Sequence, residues 1–131
     1  MTFTKHDISN ERGQTMTEFA IIAPLLVVLL FGIIQFGIAF NNYVALTDAV
    51  RAASRKGAVS RESGNATGAC TSAAYNAAGD LKASQLSVTC SSTWQPGADL
   101  TVTGTYPYSI KLLGWVVKSG NLKTQIKERV E

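Results

Sequence analysis

An uninterrupted run of 22 apolar and uncharged residues near the N-terminus constrains this chain more than any other feature. Residues 19–40, FAIIAPLLVVLLFGIIQFGIAF, contain no Asp, Glu, Lys or Arg, and fifteen of them are Leu, Ile, Val or Phe. A helix of this length covers about 33 Å, enough to cross the hydrocarbon core of a bilayer. The rest of a 131-residue chain is too small to enclose a helix that is apolar on every side, which disfavours a buried core helix. We therefore predict one membrane-spanning helix over 19–40, in contact with the lipid bilayer.

Composition excludes several classes of protein. The net charge of +3 is too small to indicate a nucleic-acid partner, and charged residues make up only 16% of the chain. One histidine, His6, and two cysteines, Cys70 and Cys90, are too few for a four-ligand zinc site. The lone histidine also excludes most hydrolytic triads. We predict no metal, no cofactor and no enzymatic activity, since the aspartates form no recognisable dyad either.

Beyond the apolar segment, the pattern predicts that the helix continues over 14–57 and carries a stripe of small residues. These recur every four positions, at Ala45, Ala49, Ala53 and Gly57, and Gly57 also offers a helix stop. Such a stripe allows close approach of another element, either the C-terminal part of the same chain, which we favour, or another subunit. Four nearby cations are most simply a solvated face: Arg51, Arg55, Lys56 and Arg61.

Residues 58–131 predict a small β-containing head. Alternating side chains indicate strands over 86–90, 100–106 and 122–130, and a short helix fits within 72–84. Pro107 marks a strand end or a sheet edge. The fold class is therefore α+β, a long N-terminal helix followed by a head with a three-stranded antiparallel sheet. The apolar segment 109–118, SIKLLGWVVK, has two interpretations: a loop that folds back over the sheet as core, or an exposed patch that touches the bilayer or another subunit.

Two signals disagree on the orientation of the head. Lys5 and Arg12 precede the span, whereas three cations follow it closely, so the positive-inside rule slightly favours a cytoplasmic head. Cys70 and Cys90 in a small domain suggest a disulfide, or else two buried thiols. A disulfide requires an oxidising compartment, and on this ground we place the head outside the cytoplasm.

The junction before the span carries the most specific motif. Gly13 is followed by four residues, then Glu18, then the apolar run. This resembles the processing site of type IV prepilins, in which a membrane-embedded aspartic peptidase cuts after the glycine. The resemblance implies a leader over 1–13 and cleavage between Gly13 and Gln14. Glu18 then has two roles open to it: pairing with the new amino group at Gln14 of a neighbouring subunit, or favouring its own helix N-terminus through the macrodipole.

Together with the downstream pattern AVRAASRKGAV, this junction resembles the TadE-like family of pilins and pseudopilins from tight-adherence (Flp/Tad) systems. The resemblance covers residues 12–59. It implies assembly through the apolar helix, with Glu18, Phe19 and Pro24 as assembly residues. Phe19 stands where the related small Flp pilins usually have Tyr. The implied partners are other pilin subunits, the prepilin peptidase, and an inner-membrane assembly platform with a cytoplasmic ATPase.

The implied location is the bacterial inner membrane, followed by an extracellular pilus. Within this interpretation the chain is either a minor pilin that primes or caps a fibre, or the principal subunit of its own fibre. A different class remains as an alternative: a bitopic, membrane-anchored binding module that does not polymerise.

Overall fold

The computed structural model describes residues 8–112 and 114–131, with side chains from residue 13 onward. Most of the predicted leader, residues 1–7, and Leu113 of the apolar segment lie outside the described residues. Two helices come first, α1 (Ile8–Ala58) and α2 (Ala66–Ala77). Three strands follow, β1 (Ser87–Ser91), β2 (Asp99–Leu112) and β3 (Trp115–Arg129). The predicted α+β fold, a long helix and a three-stranded antiparallel head, is confirmed.

Helix α1 is one continuous rod of 51 residues, about 77 Å long. It begins at Ile8, upstream of the predicted start, so the Gly13–Gln14 bond lies inside the helix rather than before it. It ends at Ala58, whose carbonyl accepts a hydrogen bond from the backbone N–H of Glu131 at 3.1 Å. Gly57 therefore sits within the last turn, and the C-terminus of the chain closes that end of the helix.

The sheet has the order β1-β2-β3, with β2 in the centre and both pairs antiparallel. Val102 of β2 lies opposite Cys90 of β1 and Ile126 of β3. The predicted alternation along β2 is confirmed, because Leu100, Val102 and Tyr106 are buried while the intervening threonines are partly exposed. The apolar face of the sheet packs on the C-terminal part of α1.

Helix α2 lies upstream of the prediction. The composition indicated a helix within 72–84, whereas α2 spans Ala66–Ala77. Asn65 fixes the start, since its Oδ1 accepts a hydrogen bond from the backbone N–H of Gly68 at 2.9 Å. Cys70 and Ala74 then fall on the buried face of the helix, against the core of the head.

Of the two interpretations of residues 109–118, the loop that folds back over the sheet as core is wrong. Strand β2 runs on to Leu112 and β3 begins at Trp115, so the two strands form a long hairpin with a register irregularity between Ile110 and Lys111. Trp115 is 83% exposed, and Val116 and Val117 are also exposed. The other interpretation, an exposed patch, describes the segment.

Pro107 lies within β2 and does not end it. It pairs with Asn121 of β3, two positions past Thr105, where the pairing of β2 with β1 stops. Here one side of β2 has become a sheet edge, which is where a residue without an N–H is tolerated. The edge alternative of the prediction is therefore the correct one.

Candidate assembly surface

The junction residues lie on one exposed stretch of α1. Gly13, Gln14 and Glu18 are all exposed, and a Cβ placed on Gly13 would have no heavy atom within 4 Å. The carbonyl of Gly13 lies within the helix and also accepts a hydrogen bond from Thr17 Oγ1 at 2.9 Å. The predicted scissile bond is thus sterically accessible, and helical in this state.

Glu18 contacts Gln14, one turn earlier in the same helix. Gln14 Nε2 donates a hydrogen bond to Glu18 Oε1 at 3.2 Å. This contact links the two residues that the pairing hypothesis joins between subunits, but within one chain and through the side-chain amide. Both groups are exposed, so the Glu18 carboxylate can exchange this weak i,i+4 contact for another donor at little cost.

The apolar part of α1 is not buried by any other part of the described chain. Sixteen large apolar side chains between Met16 and Phe40 are each at least 40% exposed. Nothing in the most apolar 18-residue stretch of this helix is buried within the described molecule, and length and composition make it the one candidate membrane span among the described residues. A surface of this kind requires lipid or other apolar helices around it, because exposed apolar area is unfavourable in water.

Pro24 lies inside this exposed segment. It has no N–H to donate to the carbonyl of Ala20, four residues earlier, so the regular helix hydrogen bond at this position is missing. The chain nevertheless continues as one helix on both sides of Pro24. Phe19, five residues before it, is 67% exposed.

The small-residue stripe lies at the other end of α1, against the head. Ala49 and Ala53 are fully buried, Gly57 is buried and Ala45 is half-buried. A Cβ on Gly57 would come within 2.6 Å of Leu100 Cδ2 and 3.2 Å of Cys70 Sγ. The stripe therefore faces the chain's own sheet and α2 rather than solvent.

Gly104 also allows close packing of the head on α1, and the sequence reasoning missed it. It lies in the middle of β2, where a Cβ would come within 2.5 Å of Val50 Cγ2 and 3.0 Å of Leu46 Cδ1. Strand β2 and helix α1 thus approach each other closely at two points, Gly104 against Val50 and Gly57 against Leu100. The available signal was a glycine inside an alternating strand, which is typical of close backbone approach.

Cys70 and Cys90 form a disulfide that joins α2 to β1 across 20 residues of sequence. Both residues are buried in the core of the head, with Val50 of α1 and Leu100 of β2 in the same cluster. The predicted bond is present, and it ties the two peripheral elements of the head together.

The cations after the span lie on the surface. Arg51 and Asp48 form an exposed pair at 3.8 Å, and Arg61 and Glu62 another at 3.3 Å. Pairs of this kind contribute little, in keeping with a solvated face. Over residues 8–112 and 114–131 no group of three His, Cys, Asp or Glu side chains is placed to hold a metal ion.

An unburied apolar N-terminal helix, a candidate membrane span, that carries a small disulfide-bonded α+β head is consistent with a membrane-anchored, pilin-like class of protein. Residues 13–55 match the family model described as TadE-like protein, which confirms the resemblance over the part of α1 that runs from the junction glycine to the end of the stripe. This family suggests a protein associated with a Tad pilus. The match covers about a third of the chain and stops before the head. Searches among curated proteins and among solved structures returned no match.

Proposed function

We propose that this protein is a structural subunit of a Tad/Flp-type type IV pilus, without enzymatic activity. It is made as a prepilin in the inner membrane with its head outside the cytoplasm. A prepilin peptidase removes residues 1–13, and the mature chain assembles into the pilus, or at its tip or base, for adhesion. The exposed apolar surface of α1 carries the proposal, because only lipid or sister helices can cover it.

Transfer from membrane to fibre follows from the same surface. Helices that leave lipid can rebury their apolar side chains against one another without passing through water. The disulfide supports a head in an oxidising compartment, and against this bond the slight positive-inside count has little weight. Extraction requires work, which the family resemblance assigns to a cytoplasmic ATPase acting through an inner-membrane platform protein.

Cleavage is tested first by N-terminal sequencing of natively exported material, which should begin at Gln14. Gly13→Val should block maturation, and Gly13→Ala should permit it at a reduced rate. Because a Cβ at Gly13 meets nothing, loss of processing in the valine variant reports recognition by the peptidase rather than a folding defect. Gly32→Val, an equally open position in the same helix, serves as control. Normal maturation of Gly13→Val would contradict the peptidase assignment.

Assembly is tested at Glu18. Glu18→Val should leave membrane insertion intact and abolish incorporation into filaments, because the carboxylate partner of a neighbour's new amino group is lost. Glu62→Val, which removes an exposed carboxylate of the head, should assemble normally. Incorporation of Glu18→Val at the wild-type level would exclude pairing of Glu18 with a neighbour's amino group. Interaction of Glu18 with the dipole of its own helix would then be the role that remains.

A minor pilin is the form we favour within this proposal, because the chain carries a sizeable head beyond the TadE-like segment. Counting this subunit against others in purified filaments distinguishes the minor from the principal role. The competing proposal, a bitopic binding module, predicts a different result: residues 1–13 retained and no filament incorporation.

A further inference from the structure

The β2–β3 hairpin extends beyond the head along the outer end of the apolar segment of α1. Gly104 lies at the level of Leu46 and Val50, whereas Ile110 lines an open apolar groove together with Phe36 and Phe40. From Gly104 to Ile110 the strand therefore advances towards the N-terminus of α1. It enters the level of residues 36–40, the last part of the predicted span.

The tip of the hairpin continues in that direction. Leu112 and its partner Trp115 lie two residues beyond Ile110, a distance of about 7 Å along a strand. With the outer end of the hydrocarbon core near Phe40 and Ile110 at the level of residues 36–40, the tip lies at least about 7 Å inside that end. Interfacial elements bury themselves at a depth of about 5 to 10 Å, which agrees with this position.

The side chains at the tip have the chemistry of a membrane interface. Trp115 is 83% exposed, and Val116 and Val117 beside it are 57% and 66% exposed. Lys111 and Lys118 flank them and are exposed as well. Residues 100–127 contain four lysines and no Asp or Glu, so this part of the hairpin is cationic. Tryptophan and lysine at the edge of an apolar surface are typical of anchors at an anionic bilayer surface.

We propose that this tip, residues 111, 112 and 114–118, docks on the leaflet that faces the head, as a second membrane contact beside α1. Trp115, Val116 and Val117 enter the acyl boundary, and the two lysines contact the phosphates of anionic lipids. The contact rests on the membrane anchoring of α1 proposed above. It fixes the tilt and rotation of the head on the membrane before the subunit leaves it.

Single-tryptophan variants of the full chain test this contact in vesicles of phosphatidylcholine and phosphatidylglycerol with brominated acyl chains. Trp94→Phe leaves Trp115 as the only reporter. Trp115→Phe leaves Trp94, which packs half-buried against the core of the head, as the matched control. Phe31→Trp in a chain without both native tryptophans reports on the span itself. We expect brominated lipid to reduce the emission of Trp115 and of the residue 31 reporter at least about twofold, and to leave Trp94 unchanged.

The three reporters separate the possible failures. Quenching at residue 31 without quenching of Trp115 would overturn the hairpin contact and leave the membrane anchor standing. Absence of quenching at residue 31 would overturn the anchor, and the hairpin contact with it. In nanodiscs that hold one chain each, quenching of Trp115 must persist. If it requires two chains per disc, the tip contacts a second copy and the lipid assignment is wrong.

A second pair of variants tests the chemistry of the tip without touching the core. Val116→Ser with Val117→Ser, in the Trp94→Phe chain, should lower the quenching of Trp115 about twofold because apolar area at the boundary is lost. Asn121→Ser with Gln125→Ser changes two exposed, uncharged residues of the same strand outside the tip and should have no effect. Equal quenching in both double variants would contradict the docking of the tip.

Discussion

The two halves of α1 are one helix in geometry and two different surfaces in chemistry. From Met16 to Phe40 its large apolar side chains are exposed, whereas Leu46, Ala49, Val50 and Ala53 are fully buried beneath the head. The first half is bulky, and the second half presents small residues so that a strand can approach it. The head thus covers the second half of α1, whereas the first half stays exposed to its surroundings.

This difference separates folding from assembly. Packing energy for the head comes from the second half of α1, so changes there should unfold the head. The first half contributes nothing to that core, so changes there should leave the head intact and affect only the environment of the helix. Paired substitutions in the two halves, measured in detergent, test this division.

The largest difference is expected for leucine truncation. Leu100→Ala in β2 removes a fully buried side chain at the centre of the head and should lower the free energy of unfolding by about 2 to 5 kcal/mol. Leu25→Ala, at a position 69% exposed, should leave the unfolding of the head unchanged. Urea unfolding followed by near-ultraviolet circular dichroism measures both. Equal losses would show that the span and the head form one cooperative unit.

Reduction of the disulfide should come next in size. Cys70 and Cys90 close a loop of about 20 residues, and losing this constraint should cost about 3 kcal/mol of stability. The thermal transition of the head should fall on addition of a reductant, while the helical signal of the span in detergent persists. Cys70→Ala with Cys90→Ala is the matched variant, and its stability should not respond to reductant. A head whose transition is the same with and without reductant would contradict a stabilising bond.

Glycine-to-valine substitutions compare the two halves at the level of a single side chain. Gly57→Val places its Cβ within 2.6 Å of Leu100 Cδ2 and should destabilise the head by about 1 to 3 kcal/mol. Gly37→Val, in the same helix but with nothing within 4 Å, should not. Differential scanning calorimetry of the two variants in one detergent gives the comparison, and a destabilised Gly37→Val would show that the span is packed after all.

Long segments with a regular apolar pattern could be predicted from the sequence, whereas short elements without such a pattern could not. The apolar run over 19–40 and the alternation along Leu100–Tyr106 are strong periodic signals, so the helix, the sheet and their contact were predicted correctly. The disulfide followed from the cysteine count. Helix α2 was placed too late because its Ala, Gly, Ser and Thr residues have no period, and only the Asn65 cap defines the start.

The hairpin was the main error, and its cause is local. The irregularity between Ile110 and Lys111 breaks the alternation of β3 against β2, so residues 109–118 gave the continuous apolar pattern of a core segment. Pro107 was predicted to mark a strand end or a sheet edge, and the pairing shows the edge, because β1 stops pairing with β2 at Thr105. Of the candidate surface, the sequence indicated the junction and the stripe of α1. It did not show that Gly104 packs against Leu46 and Val50 of α1, because that contact joins positions about 50 residues apart.

The smallest effect in this series concerns the cap that positions α2. Asn65→Ala removes the acceptor for the Gly68 N–H and should lower the stability of the head by about 1 kcal/mol, without affecting the span. Asn76→Ala, at an exposed position near the other end of α2, is the control and should be close to neutral. Hydrogen exchange of the first turn of α2 should accelerate in the first variant only. If both variants behaved alike, α2 would be held by its disulfide and its buried face, Cys70 and Ala74, rather than by its cap.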